Sequence, residues 1–227
     1  MYSDTDQGAS AEPFIAPICH HEIEILYQDD HLLIINKPSG LFTLSGKHPL
    51  NKDSVHYRLV QDYPTALMPH RLDFGTSGIM LVALNKDINR HLCKQFSERT
   101  IKKTYTALLN GHLKNKHGII DQPIGKDEFP RQKVCLKHGK PAQSEYEVLE
   151  YLQKPFCSRV RFTPVTGRTH QLRIHSQFIE HPILGCDLYS NEKVLKMADR
   201  LMLHASRIEL LHPVSNAVLK MDCLCPF

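Results

Sequence analysis

His70-Arg71-Leu72-Asp73-Phe74-Gly75-Thr76-Ser77-Gly78 runs without a break into Ile79-Met80-Leu81-Val82-Ala83-Leu84. Residues 78–84 are a continuous apolar run, short enough for a buried strand. Residues 70–77 join a proline-marked loop to that strand. They crowd an acid, two bases and two hydroxyls beside glycines that permit tight backbone turns. Loops seated on rigid strands are where catalytic groups tend to sit. The same stretch also reads as a hydrogen-bonded loop with a capping Asp.

Upstream, residues 22–28 and 32–36 form a hairpin about Asp29-Asp30, and Lys37-Pro38-Ser39-Gly40 ends its second strand with turn chemistry. Residues 54–62 read as a helix stopped by Tyr63-Pro64. Downstream, Asp87 opens a helix in which Ile88, His91, Leu92 and Phe96 recur at helical spacing, while Lys86, Arg90 and Lys94 share another face. Residues 102–109 alternate as a strand. Residues 111–142 hold several Gly and Pro and many charges, as extended loops and short strands do. A second hairpin is expected over 144–151 and 158–162, a helix over 168–180, and strands over 205–211 and 217–222. Hairpins with few helices and no βαβ repeat point to an α+β fold with a mixed, mostly antiparallel central sheet. Residues 1–20 are polar, acidic and without periodicity, which predicts a flexible arm before a single domain over 21–227.

At 227 residues and 41% hydrophobic content, the chain can bury a core without disulfides or metals. It contains no apolar run of membrane-spanning length, and no secretory signal is expected. The seven cysteines are odd in number and form no C-x-x-C pair. That argues against a disulfide framework or structural zinc and fits a reducing cytoplasm. The net charge of +4 hides an asymmetry. Residues 1–30 hold seven acids and no Lys or Arg, leaving all 28 bases and 17 of the 24 acids to the rest, a net of +11. A basic body suits a polyanion such as RNA or DNA, and is equally an ordinary basic surface.

Further blocks share the dense character of residues 70–78. They are Lys102-Lys103-Thr104-Tyr105, then Gly167-Arg168-Thr169-His170-Gln171-Leu172-Arg173-Ile174-His175, then His181-Pro182-Ile183-Leu184-Gly185-Cys186, then Leu201-Met202-Leu203-His204-Ala205. In this order they resemble the motifs of the RluA family of RNA pseudouridine synthases, over about residues 24–225. Five ordered blocks are far more specific than one short motif. Tyr27-Gln28-Asp29-Asp30-His31, Lys52-Asp53-Ser54-Val55 and Gly139-Lys140-Pro141-Ala142-Gln143 are similar to the family's dual-specificity members, which act on 23S rRNA and tRNA. The stretch before the first strand is too short for the S4 domain of many relatives.

The resemblance implies an isomerase. The uracil N1–ribose bond breaks, the base turns and C5 rejoins the sugar, with no redox change and so no cofactor. It makes Asp73 the catalytic carboxylate, Arg173 its charge partner and Tyr105 a contact of the target base. It further assigns substrate contacts to His70, Arg71, Leu203, Arg168 and Lys133. The basic loop 131–140 and the Lys86, Arg90 and Lys94 face would approach RNA, and a monomer is expected. Three rival readings have less support in the sequence. The fifteen histidines show no metal-ligand spacing such as H-E-x-x-H. A nucleoside glycosidase commonly needs two carboxylates, and only Asp73 stands out. A non-catalytic RNA-binding module would be marked by loss of Asp73, Tyr105 or Arg173, and all three are present.

Overall fold

The computed structural model describes residues 14–227. Strands β1 (Glu24–Gln28) and β2 (Leu32–Lys37) form the expected antiparallel hairpin, and β2 pairs in turn with β3 (Ser77–Ala83). All seven residues of β3 are buried. Alternate side chains point to opposite faces of a strand. Met80 and Val82 accordingly meet Leu33 and Ile35 under helix α1 (Val55–Leu59), while Ile79, Leu81 and Ala83 meet Leu32 and Ile34 under α2 (Lys86–Ser97). Two faces to fill is the reason for the unbroken apolar run.

Six more strands complete the sheet: β4 (Lys102–Asn110), β5 (His117–Asp121), β8 (Gln143–Gln153), β9 (Phe156–Pro164), β10 (Leu203–Leu211) and β11 (Val218–Asp222). The order is β1-β2-β3-β10-β4-β9-β8-β5, with β11 also on β10. Only β3–β10 is parallel, so the sheet is mixed and mostly antiparallel, and the fold is α+β. The short hairpin of β6 (Ile124–Lys126) and β7 (Gln132–Val134) stands apart from it. A third core gathers Ala107, Leu109, Val160 and Phe162 beneath α3 (Gln171–Phe178).

Boundaries differ from expectation where side chains redirect the backbone. Helix α1 is shorter than 54–62, although Ser54 caps it by accepting the Tyr57 N–H. Helix α2 starts one residue earlier because Asn85 accepts the Asp87 and Ile88 N–H groups. The helix expected over 168–180 begins only at Gln171. His170 is left-handed at φ 56°, and the Gln171 side chain takes the Arg168 N–H. Helix α4 (Glu192–Leu195), capped by Asn191, is too short to leave a periodic trace.

The expected flexible arm falls mostly on residues 1–13, which lie outside the described residues. Residues 14–20 are largely exposed and touch the body of the fold at a few points. The Asn51 side chain bonds both the Phe14 carbonyl and the Ala16 N–H, Phe14 packs edge-on against Phe74, and Cys19 is buried. Among the described residues, no helix is long and apolar enough to cross a membrane.

Candidate active site

The 70–78 loop is held by backbone clamps on each side. Thr43 Oγ1 donates to the Leu72 carbonyl at 2.9 Å and accepts the Leu72 N–H at 3.2 Å. Lys37 is wholly buried, and its Nζ donates to the carbonyls of Leu41 at 2.7 Å, Pro38 at 2.8 Å and Phe74 at 3.3 Å. Ser39 Oγ donates to the Gly75 carbonyl. A charge so placed is costly, and burial depresses the Lys37 pKa to about 7. At the far end of the loop, Gly78 sits at φ +105°, where an added Cβ would lie 2.3 Å from the Ala205 carbonyl oxygen. That close approach lets β3 join β10 directly.

These clamps set Asp73 in a cleft of about 630 Å³. The side chain is 21% exposed, open enough to meet a ligand. Tyr105 lines the cleft from β4, with Lys103 two residues earlier on the same face of that strand. Leu203 enters from the start of the neighbouring β10. Burial and the Asp73 charge both push the Tyr105 hydroxyl up, so it stays a neutral donor at physiological pH. Helix α3 contributes Arg173, 4% exposed, with Nη1 3.9 Å from Asp73 Oδ2. His170 brings Nε2 to 3.8 Å from Asp73 Oδ1. Burial depresses the His170 pKa, only partly offset by Asp73, and Arg173 lowers it further.

Folding thus brings together Asp73, Tyr105, Arg173, His70, Arg71, Arg168 and Leu203, from four segments of the chain. Three placements differ from the sequence picture. Arg173 faces Asp73 only at ion-pair range, while its Nη2 hydrogen-bonds Asp187 and its Nε donates to Cys186 Sγ at 3.4 Å. His70 accepts the Leu81 N–H on Nε2 at 2.9 Å, and burial, aided by Lys103, depresses its pKa to about 3. It is therefore a neutral ring tying the loop to β3. Lys133 does not line the cleft: it is exposed on β7 and paired with Asp127 at 2.9 Å. On α2, Arg90 pairs with Asp87 and Lys94 with Glu98, both exposed.

The sequence reading names Lys37, Lys103 and His170 without giving them a role in the site, and does not name Asp187 or Tyr189. The alternation of β4 could have placed Lys103 beside Tyr105. Nothing in the sequence pointed to Asp187 or Tyr189, which reach the site only because the chain after α3 turns back beneath it. Lys103 is pushed down by burial, and Arg71, Arg99 and Arg168 stand at the same cleft. One carboxylate amid several cations, with an aromatic ring and a leucine for walls, suits a flat base on a polyanionic chain.

Comparison with known proteins identifies the family. Residues 31–178 match the family described as RNA pseudouridylate synthase. The chain is 45% identical over 205 residues to the dual-specificity RNA pseudouridine synthase RluA of Yersinia pestis, covering 89% of this chain and 99% of that one. It is 48% identical over 191 residues to the enzyme of the same name from Escherichia coli K12, covering 83% and 87%. Among solved structures, human RNA pseudouridylate synthase domain containing 1 superposes with a TM-score of 0.79 at 29% identity, over 93% of this chain and 86% of the human one. Carrying the ordered motifs, the sheet and the carboxylate-centred cleft together, this chain belongs to the RluA family of RNA pseudouridine synthases.

Proposed function

We propose that the protein converts uridine to pseudouridine at one site in 23S rRNA and one in the anticodon stem-loop of some tRNAs, with Asp73 as the catalytic carboxylate. The observation that carries this reading is the position of Asp73, in a cleft whose other charged lining is cationic. The target base leaves its stack and enters between Tyr105 and Leu203, which supply flat apolar contact. Asp73 assists cleavage of the N1–C1′ bond as nucleophile or base, uracil turns within the cleft, and C5 bonds to C1′ while C5 loses its proton and N1 gains one, directly or through solvent. No atom is added and no electron leaves, so no redox partner is required. Arg173 sets its guanidinium 3.9 Å from the Asp73 carboxylate as a charge partner. Arg71, exposed at the cleft rim beside Asp73, has a planar group that can stack where the base has left.

Dual specificity is supported by the likeness to dual-specificity relatives and by the sequence between the motifs. A loop uridine is cheaper to extrude than one in a continuous duplex, so two RNAs with similar loops could share one site. The purified protein, incubated with a minimal anticodon stem-loop and with an rRNA hairpin of matching loop sequence, is expected to form pseudouridine in both. Modification of the hairpin alone would restrict the substrate to rRNA. Pseudouridine in neither, with turnover on another RNA, would overturn the substrate assignment.

A further inference from the structure

Tyr189 and His170 lie behind Asp73 and take no part in the chemistry above. The backbone N–H of Gln132 donates to Tyr189 Oη at 2.9 Å. His170 Nδ1 lies 2.7 Å from the same oxygen. Tyr189 is 3% exposed, and a buried hydroxyl needs an acceptor for its O–H. Among the described residues, His170 Nδ1 is the acceptor in reach. The hydroxyl therefore donates to Nδ1, which leaves that nitrogen without a proton and places the ring's proton on Nε2. Nε2 is the atom 3.8 Å from Asp73 Oδ1.

We infer that Tyr189 and His170 are a positioning pair that holds a neutral imidazole N–H against the Asp73 carboxylate. The inference rests on Asp73 being the catalytic group. Two further features agree with it. His170 is a non-glycine residue in the left-handed region, a conformation kept only where surroundings impose it, and here it aims the ring into the cleft. The Arg173 guanidinium lies over the Tyr189 ring at 5.1 Å, so one tyrosine supports both neighbours of Asp73.

The charged groups around the ring are Asp73 and Arg71 from the loop before β3, Arg173 from α3 and Asp187 from the segment after it. Asp73 and Asp187 would favour an imidazolium. An imidazolium would compete with the reaction for the Asp73 charge. A hydroxyl donating to Nδ1 opposes that protonation, because it stabilises only the neutral ring. Asp73 then faces an N–H dipole in place of a second full positive charge. A contact of 3.8 Å is long, as catalytic contacts often are before substrate closes the site.

The test has a spectroscopic arm and a kinetic arm. In intact protein labelled with 15N-histidine, His170 should be the Nε2–H tautomer across neutral pH. In Tyr189→Phe that preference should weaken and protonation of the ring should move to higher pH. Tyr189→Phe should lower kcat by about 10- to 100-fold, with little change in KM, and move the acid limb of the kcat profile to higher pH. His170→Gln, whose amide nitrogen can occupy the place of Nε2, should retain about tenfold more activity than His170→Ala. An Nδ1–H tautomer in the unmodified protein, or Tyr189→Phe with full kcat at every pH, would overturn the inference. Asp73→Asn, assayed in parallel, separates the two levels. Its continued turnover would remove the catalytic reading while the tautomer result stood by itself.

Discussion

Asp73 owes its position to side chains that hold the backbone around it. Lys37, Thr43 and His70 each bind backbone groups in or beside the loop, and so fix where the carboxylate points. Replacing Asp73 by Asn keeps the size and removes the charge and the nucleophile. Asp73→Asn should therefore lower pseudouridine formation by at least about a thousandfold, while RNA affinity changes by no more than a few-fold. Single-turnover assays and filter binding on one protein preparation check both halves. Substantial turnover by the purified variant would remove Asp73 from the chemistry. At this scale the sequence was legible in its motifs: Asp73, Tyr105, Arg173 and Leu203 do meet at one cleft. The pairing inside the cleft was not legible. Arg173 divides its donors among Asp187, Cys186 and Asp73, and only folding brings the first two beneath the helix.

Among the elements, the join of β3 to β10 decides whether the site exists at all. It pairs Ser77 with His204 and Gly78 with Ala205, linking the catalytic loop to the strand that carries Leu203. Gly78→Ala would set a Cβ against the Ala205 backbone, in a conformation that L side chains rarely adopt. The cost should be about 3 kcal/mol, from backbone strain and overpacking together. Urea unfolding would show it as a lower midpoint at unchanged slope. A midpoint equal to that of the parent protein would mean that the strands can part without loss. Strand β3 was readable because burial on both faces leaves an unbroken apolar run. Helix α3 starts later than its periodicity suggests, because periodicity carries no trace of the left-handed His170.

For the whole molecule, buried bases tie stability to pH. Burial depresses His70 to about 3 and His204 to about 4, against an ordinary value near 6.5. His170 and His175 are depressed by burial as well. The unfolded chain binds more protons than the folded one throughout that interval, so stability rises with pH. The contribution is fully present above about pH 6.5 and is lost as pH falls toward 3 to 4. Lys37 acts with the same sign between its ordinary value of about 10.4 and its depressed one of about 7. Denaturant midpoints should accordingly fall as pH is lowered from 7 to 4, and a flat profile would mean that these rings are protonated in the fold. The cationic lining of the cleft makes a second demand at this scale. Arg71, Arg99, Lys103 and Arg168 can each meet a phosphate, so log affinity for RNA should fall against log salt with a slope of about −3 or steeper. Affinity that holds constant across a salt titration would contradict phosphate binding by these groups.

By itself the sequence determined the family, the α+β class, the strands with a strong apolar pattern and the residues of the catalytic motifs. Those features are written in local composition and in ordered blocks, and neither depends on how distant segments meet. Tertiary structure alone decided the parallel β3–β10 join, the burial of Lys37 under the loop, the sharing of Arg173 and the seating of Tyr189 behind His170. Each of these is a contact between segments far apart along the chain or across a turn. Its geometry follows from packing and hydrogen-bond satisfaction in the folded interior, which no single stretch of residues encodes.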